Sequence, residues 1–179
     1  MSNSTFITYS LVEIDLANIQ PEQITIQDIS AGLSKICRFS GQITRFYSVA
    51  QHSVILSKIV PDNLKRVALL HDASEAYLQD IIKPLKNLLG DSYTKLEEQF
   101  THAIFDRYGL DYELLKEIKP YERFVFEQEC KCFREGKEDE WVKWLKNDVK
   151  MFPSFWDWRQ GEVLFHTRFV ELFSREAFK

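Results

Sequence analysis

The sequence has few of the features that mark secreted, membrane-bound or nucleic-acid-binding proteins. Its 179 residues include three cysteines, an odd number without a zinc-type Cys-x-x-Cys pair, so we predict free thiols in a reducing cytoplasm. The sequence contains no apolar run of the roughly 18 residues that a membrane helix needs, and its N-terminus does not resemble a signal peptide. The formal net charge of -4 argues against a general nucleic-acid binder, although it is compatible with a local basic pocket for a small anion.

Bulky apolar residues are abundant, and they predict one mostly helical domain over residues 1–179. Hydrophobic types make up 45% of the chain, with 14 Phe, 7 Tyr and 4 Trp, enough for a single core at this length. β-Branched and aromatic residues over 5–16 predict a short strand or hairpin. Apolar spacing elsewhere predicts an all-α fold with helices over 26–38, 48–60, 63–78, 91–108, 112–135 and 160–175.

Local signals refine these boundaries. Ser48 and Gln51 fit a capping box at the start of the second helix. We expect a loop over 79–90 and a kink or interruption at Pro120, because proline removes a helical hydrogen bond. The aromatic run over 141–158 is typical of a core or of a subunit interface, and its two tryptophans three residues apart predict a short helix.

The sharpest chemical signal is His71-Asp72-Ala73-Ser74-Glu75, which follows an apolar run. Ionisable groups beside a buried face cost free energy unless they are paired or bind a metal ion. Imidazole and carboxylate suit a divalent ion, and Asp72 and Glu75 are three residues apart, on one face of a helix. A His-Asp pair alone is a weak signal, because both His71 and His52 could be hydrogen-bonded core histidines.

Further motifs give the chain a resemblance to a known family. They are Arg38-Phe39-Ser40-Gly41, the stretch from Phe46 to Ser53, the stretch from Leu70 to Ala76, Asp80, and Pro84-Leu85-Lys86. Together these resemble the small HD-domain nucleotide phosphohydrolases of bacteria and phages, which include YfbR-type 5'-deoxynucleotidases and DatZ-like dATP triphosphohydrolases. The resemblance covers about residues 10–130 and implies one HD domain, with core motifs at about 26–135 and an aromatic, helical extension over 136–179.

The resemblance implies a site for one divalent ion, which could be cobalt, manganese, zinc or magnesium. The family uses a His, a His-Asp pair and a later Asp as metal ligands. The first three correspond to His52, His71 and Asp72. Glu122 stands where the family has its last Asp, so this fourth ligand is a departure, with Asp106 and Asp111 as alternatives.

The resemblance also implies roles toward a substrate. Glu75 corresponds to the proton-transfer carboxylate, beside Asp72. Asp80 corresponds to a residue that contacts the sugar hydroxyl, and Phe39 to an aromatic ring beside the base. Cations that correspond to phosphate-binding groups are Arg38, Lys86 and, less directly, Lys83. Each of these could instead be an ordinary surface or core residue.

Taken together, these residues predict a homo-oligomeric enzyme that acts on a purine deoxynucleotide in the cytoplasm of a bacterium or a phage-infected host. Lys86, a cation suited to a long phosphate chain, favours dATP hydrolysis with release of triphosphate. Two alternatives stay open. One is a 5'-nucleotidase for deoxynucleoside monophosphates, and the other is a protein that binds metal and nucleotide without hydrolysis, because of Glu122.

Overall fold

The computed structural model describes residues 4–151 and 154–174, which are mostly helical with one small sheet. Strand β1 (Thr5–Ile7) pairs antiparallel with β2 (Glu13–Asp15), with Phe6 opposite Ile14. The predicted hairpin and the all-α class are therefore confirmed. In the described ranges, no helix is both long and apolar enough to cross a membrane.

The described residues form a series of α-helices, whose longest connections lie between Lys35 and Val49 and between Trp144 and Trp158. In chain order they are α1 (Ile26–Lys35), α2 (Val49–Ile59), α3 (Lys65–Leu70), α4 (Glu75–Leu78), α5 (Lys83–Leu89), α6 (Asp91–Tyr108), α7 (Leu115–Glu135), α8 (Glu138–Trp144) and α9 (Trp158–Phe173). Single 3-10 turns cover Pro21–Gln23, Arg38–Gly41, Asp62–Leu64 and Tyr112–Leu114, and a π turn covers Leu145–Val149.

Most of the predicted helices form near their expected limits. α6 and α7 end at glycines in the left-handed region, with φ of 63° at Gly109 and 71° at Gly136, because glycine accepts this conformation without strain. Ser48 caps α2 as expected, and its hydroxyl accepts a hydrogen bond from the Gln51 amide at 3.2 Å. α9 begins two residues before the predicted 160, and residue 175, its predicted end, lies outside the described residues.

Two predicted segments differ from the structure. The helix expected over 63–78 is broken, because α3 ends at Leu70 and α4 starts at Glu75. The turn between them uses tighter hydrogen bonds, from Ala73 N to Leu70 O and from Glu75 N to Asp72 O, which are of the i to i+3 type. The loop expected over 79–90 contains α5, which Pro84 starts without losing a needed donor.

Pro120 and Gln51 also behave differently from expectation. α7 runs through Pro120 without a break, because a helix packed against α2, α3 and α8 tolerates one missing hydrogen bond near its start. The Gln51 side chain does not complete a capping box. It instead donates to Ser154 O at 2.8 Å and accepts from Trp156 N at 3.1 Å, so it ties the segment before α9 to α2.

The core surrounds α2, which contacts α1, α3, α7 and α9. Its residues 49–57 are all buried, so polar side chains on this helix are withdrawn from water. The aromatic run contributes to the core through Trp141 and Trp156, whereas Trp158 is 40% exposed. His52 therefore lies in the most enclosed helix of the described structure.

The close approach of α1 to α4 at Gly32 gives a test of the packing that supports Glu75. A Cβ atom on Gly32 would lie 2.8 Å from Ala76 Cβ and 2.9 Å from Ala76 O. Gly32→Ala should lower the free energy of unfolding by about 1–3 kcal/mol through overpacking, despite the better helix propensity of alanine. Urea unfolding measures this difference.

Gly161→Ala is the matched control, since its new Cβ would meet Ser34 Cβ and Ser48 Oγ at an ordinary 3.4 Å. This variant should be close to wild type in stability or slightly more stable. If Gly32→Ala proves as stable as Gly161→Ala, the described contact between α1 and α4 is wrong.

Candidate metal centre

Three side chains of metal-ligating type converge where α2 packs against α3. His52 extends from α2, and His71 and Asp72 lie in the turn after α3. Nε2 of His71 lies 3.0 Å from Asp72 Oδ2, and Nε2 of His52 lies 3.7 Å from the same oxygen. Among the described residues, these three each offer a ligand atom within 4.8 Å of the others. The group could hold a metal ion.

The hydrogen bonds of the two imidazoles fit a metal site. Nδ1 of His52 donates to Glu129 Oε1 at 2.6 Å, and Nδ1 of His71 donates to Ala68 O at 2.9 Å. Both Nε2 atoms are buried; that of His52 has no hydrogen-bond partner in the described structure, and that of His71 faces only Asp72 Oδ2. Anchoring Nδ1 to an oxygen leaves the Nε2 lone pair available and fixes the ring, as in metal-bound histidines. Two such lone pairs beside a carboxylate suit a divalent cation.

Electrostatics favours neutral His52 and ionised Asp72, which are the states in which these side chains bind metal ions. Burial, and then the charge of Arg38, lowers the pKa of His52. Burial opposes ionisation of Asp72, but His71, His52 and Arg38 outweigh it and hold the Asp72 pKa well below its ordinary value. For His71, burial lowers the pKa and Asp72 outweighs burial, so the net shift is upward. The upward shift favours a proton on His71, with which a bound cation would compete.

Glu129 anchors this group and was not among the residues predicted from sequence. It is fully buried on α7. Its Oε1 accepts from His52 Nδ1 and from Tyr47 OH at 2.8 Å, and its Oε2 accepts from Arg38 Nη2 at 3.2 Å. Burial would raise the Glu129 pKa, but Arg38 and His52 outweigh it and hold the pKa at about 2. An ionised carboxylate can only accept here, which fixes the proton of His52 on Nδ1.

The sequence did contain a signal for Glu129. The buried positions of α7 recur at helical spacing, at Ile118, Val125, Cys132 and Phe133. Glu129 lies on the same stripe, four residues after Val125 and three before Cys132. A charged residue on an apolar stripe requires buried partners, so this position indicated a polar network inside the protein.

A cleft of about 590 Å³ opens beside the ligand group. It brings together most of the residues predicted from sequence, which are Arg38, His71, Asp72, Glu75, Asp80, Lys86 and Glu122. Lys83, Phe39 and the buried His52 are not among the lining residues. The outer wall is formed by α6 and α7 with the turn between them, through Glu97, Glu98, Tyr112, Lys116 and Lys119.

Glu75 and Asp80 form an acidic pair on the inner wall of the cleft. Glu75 is buried, and its Oε2 has no hydrogen-bond partner in the described structure. Burial, Asp72 and Asp80 together raise the Glu75 pKa well above its ordinary value, and burial also raises the pKa of Asp80. Between them, Gln79 has a strained positive φ of 72°, a feature found most often at functional sites. Glu75 can therefore carry a proton into a reaction.

Two of the predicted phosphate-binding cations reach the cleft but already have acidic partners. Arg38 Nη1 lies 3.6 Å from Asp72 Oδ2, in addition to its contact with Glu129. Lys86 Nζ lies 2.6 Å from Glu97 Oε1. Lys83 is exposed on α5 and stays outside the cleft lining.

Phe39 packs against α7 rather than lining the cleft. Its ring stacks on Phe126 with centroids 5.8 Å apart, and the Arg38 guanidinium lies 5.6 Å from its centroid. Phe39 and Ser40 both adopt a left-handed backbone, with φ of 57° and 52°, which is uncommon outside glycine. This conformation lets Arg38 turn inward while Phe39 covers the helix.

Glu122 lines the cleft but lies outside the close ligand group. Its Oε2 accepts a hydrogen bond from Lys119 Nζ at 2.8 Å, and its side chain is 31% exposed. Its charge still contributes to raising the His71 pKa, although less than Asp72 does. Of the two alternatives, Asp106 is exposed on α6, and Asp111 caps the turn that begins at residue 112.

Comparison with known proteins gives relatives without a stated activity. No family model matches the chain. The uncharacterized protein YfdR of Escherichia coli (strain K12) is 51% identical over 92 residues, which is 51% of each chain. The uncharacterized protein RCAP_rcc00048 of Rhodobacter capsulatus is 36% identical over 115 residues, or 59% of each chain. The chain thus matches between half and three-fifths of the length of these relatives.

Removal of one imidazole should abolish tight metal binding. His71→Ala removes a buried Nε2 from the group, so the affinity for Mn²⁺ or Co²⁺ should fall by more than about 100-fold, beyond the usual effect of losing a supporting residue. The matched control is His102→Ala, because His102 is exposed on α6 and stacks on Tyr112. Calorimetric titration should give one ion per chain for the wild type and the control. Equal affinities in all three proteins would exclude this centre.

Three glutamates of α7 offer a comparison of roles on one helix. Glu129→Gln should weaken metal binding by about 10–100-fold, because the anchor of His52 loses its charge. Glu127→Gln is the control, since Glu127 is exposed and pairs with Arg123.

Glu122 is tested as the fourth ligand by two variants. If it binds the ion, Glu122→Gln should lose metal affinity, whereas Glu122→Asp should retain it. Unchanged affinity in Glu122→Gln would mean that another residue or water completes the site.

Proposed function

We propose that this protein is an HD-type metal-dependent phosphohydrolase that acts on purine deoxynucleotides. The observation that carries the proposal is the convergence of the buried Nε2 atoms of His52 and His71 on Asp72, next to a large cleft that His71 and Asp72 line. The sequence resemblance supplies the reaction class, and the arrangement of the side chains supports it.

His52, His71 and Asp72 would hold the ion, with Glu122 as the proposed fourth ligand after release from Lys119. When bound, a divalent ion neutralises phosphate charge and lowers the pKa of water at the site. Glu129 keeps His52 oriented toward the ion position and Arg38 oriented toward the cleft, since one carboxylate binds both side chains.

Glu75 is the proposed proton donor. Burial and the charges of Asp72 and Asp80 raise its pKa, which favours the protonated carboxyl, and its Oε2 has no hydrogen-bond partner in the described structure. The proton passes from Glu75 to the oxygen that leaves phosphorus, which avoids expulsion of an unprotonated alkoxide. Asp80 lines the same cleft as Glu75 and would accept a hydrogen bond from a sugar hydroxyl.

Within this class we propose dATP as the substrate and triphosphate as a product. Arg38 and Lys86 are the cations that would bind phosphate oxygens from the inner wall. A 5'-nucleotidase for deoxynucleoside monophosphates is the second candidate. One observation favours it, because the pairing of Lys86 with Glu97 at 2.6 Å leaves less free positive charge for a long phosphate chain.

Product analysis separates these candidates. The chain is incubated with dATP or dAMP and Mn²⁺ or Co²⁺, and we expect deoxyadenosine and triphosphate from dATP. Glu75→Gln should reduce kcat by about 100-fold or more while metal affinity stays unchanged, the usual scale for losing a positioned acid. Glu127→Gln on the exposed face of α7 should retain full activity.

Other results of this experiment would support the 5'-nucleotidase or the binding protein without activity. Phosphate from dAMP, with dATP left intact, would replace the triphosphohydrolase with the nucleotidase. Metal binding without turnover of either nucleotide would contradict the proposed enzyme and leave a binding protein. Loss of metal in Glu75→Gln would make Glu75 a ligand rather than a proton donor.

A further inference from the structure

A second concave site lies on the side of α2 that faces away from the ligand group. Its volume is about 280 Å³, and its wall includes Lys58 from α2, Lys150 from the segment before α9, and Arg168 from α9. Val54 and Lys58 lie on α2 at about 200° and 240° from His52, because an α-helix turns by about 100° per residue. The helix therefore separates this concavity from the proposed metal centre.

The concavity has an excess of positive charge. Three cations and one carboxylate, Glu171, line it, in a chain whose formal net charge is -4. Arg168 pairs with Glu171 at 2.9 Å, whereas Lys58 and Lys150 have no salt bridge to any residue in the described ranges. Burial, and then the nearby charge of Arg168, lowers the pKa of Lys58. Glu171 attracts Lys58 and partly offsets these effects, but Lys58 makes no salt bridge with it in the described structure.

Arg168 is held rigidly at this site. Its Nε donates to Ser57 Oγ at 3.1 Å, and its Nη2 donates to Ser57 O at 3.0 Å. Both bonds are to α2, next to Lys58, so they fix the guanidinium relative to the lysine. A fixed guanidinium loses little conformational entropy on binding an oxyanion.

The facing wall is also fixed in place. Gln51 is fully buried on α2, and its side chain holds the backbone at Ser154 and Trp156. Trp156 is itself buried and lines the concavity together with Met151. Part of the wall is therefore held in place by α2, and it adds apolar surface to the lining that contains the cations.

We propose that this concavity binds a small phosphate-bearing anion. A phosphate group offers several oxygens to the Lys58, Lys150 and Arg168 donors, and charge-assisted bonds of this kind are stronger than neutral ones. The low-dielectric wall formed by Trp156 and Met151 strengthens the attraction further. The site is separate from the cleft that contains Arg38 and Lys86, so it does not depend on the proposed hydrolysis.

Calorimetric titration with inorganic phosphate tests this site in the full chain, with a chelator present to remove divalent ions. The wild type should bind phosphate, and the double variant Lys58→Gln/Lys150→Gln should bind at least about tenfold more weakly, a change of about 1.4 kcal/mol. The matched control is Lys95→Gln/Lys143→Gln, which removes the same charge from exposed positions elsewhere. It should bind like wild type, and unchanged melting temperatures should show that both variants fold.

Lys86→Gln distinguishes this site from the cleft, because Lys86 lines the cleft and its replacement leaves the buried pair of Arg38 and Glu129 intact. We expect the phosphate affinity to be unchanged in Lys86→Gln. Loss of binding in that variant, with retention in Lys58→Gln/Lys150→Gln, would place the phosphate in the cleft and overturn the proposal. Absence of binding to the wild type at millimolar phosphate would overturn it as well.

A parallel titration with AMP identifies the source of the phosphate group. Tighter binding of AMP than of phosphate, lost in the lysine double variant, would show that the apolar wall accepts a nucleoside. Equal or weaker AMP binding that depends on the same lysines would show that the free ion is the ligand. If AMP binding does not change in the Lys58→Gln/Lys150→Gln variant, AMP binds in the cleft. If phosphate also fails to bind at the concavity, the proposal is wrong.

Discussion

The hydrogen bond from His52 Nδ1 to Glu129, at 2.6 Å inside the protein, is the interaction on which the proposed centre depends. It crosses from α2 to α7 and fixes both the rotation and the proton position of the imidazole. The same carboxylate holds Tyr47 and Arg38, so one buried charge orients a ligand and a cation together. An unpaired carboxylate in this position would cost several kcal/mol, which explains why its partners surround it so closely.

The break between α3 and α4 supplies the rest of the geometry. In the turn that follows α3, Nε2 of His71 lies 3.0 Å from Asp72 Oδ2. A new helix then starts at Glu75. Gly32 lets α1 approach Ala76 closely, so packing between helices holds Glu75 over the cleft.

Periodicity and capping residues predicted most of the fold, because an amphipathic helix such as α7 buries one clear stripe. They could not predict the turn at His71, since the residues around it are as compatible with a helix as those before it, and its i to i+3 bonds depend on tertiary packing. The resemblance identified His52, His71 and Asp72, which the fold brings together. The resemblance did not identify Glu129. The spacing of residues in the sequence also does not specify contacts between side chains, so it could not predict that Lys86 pairs with Glu97 or Glu122 with Lys119.

The most direct test of the proposed metal centre is a crystal structure of the protein with Mn²⁺, in which anomalous scattering locates the ion. The account predicts one strong anomalous peak per chain, within bonding distance of Nε2 of His52, Nε2 of His71 and a carboxylate oxygen of Asp72, with Nδ1 of His52 still bound to Glu129. A peak elsewhere, or no peak between these three side chains at saturating Mn²⁺, would contradict it.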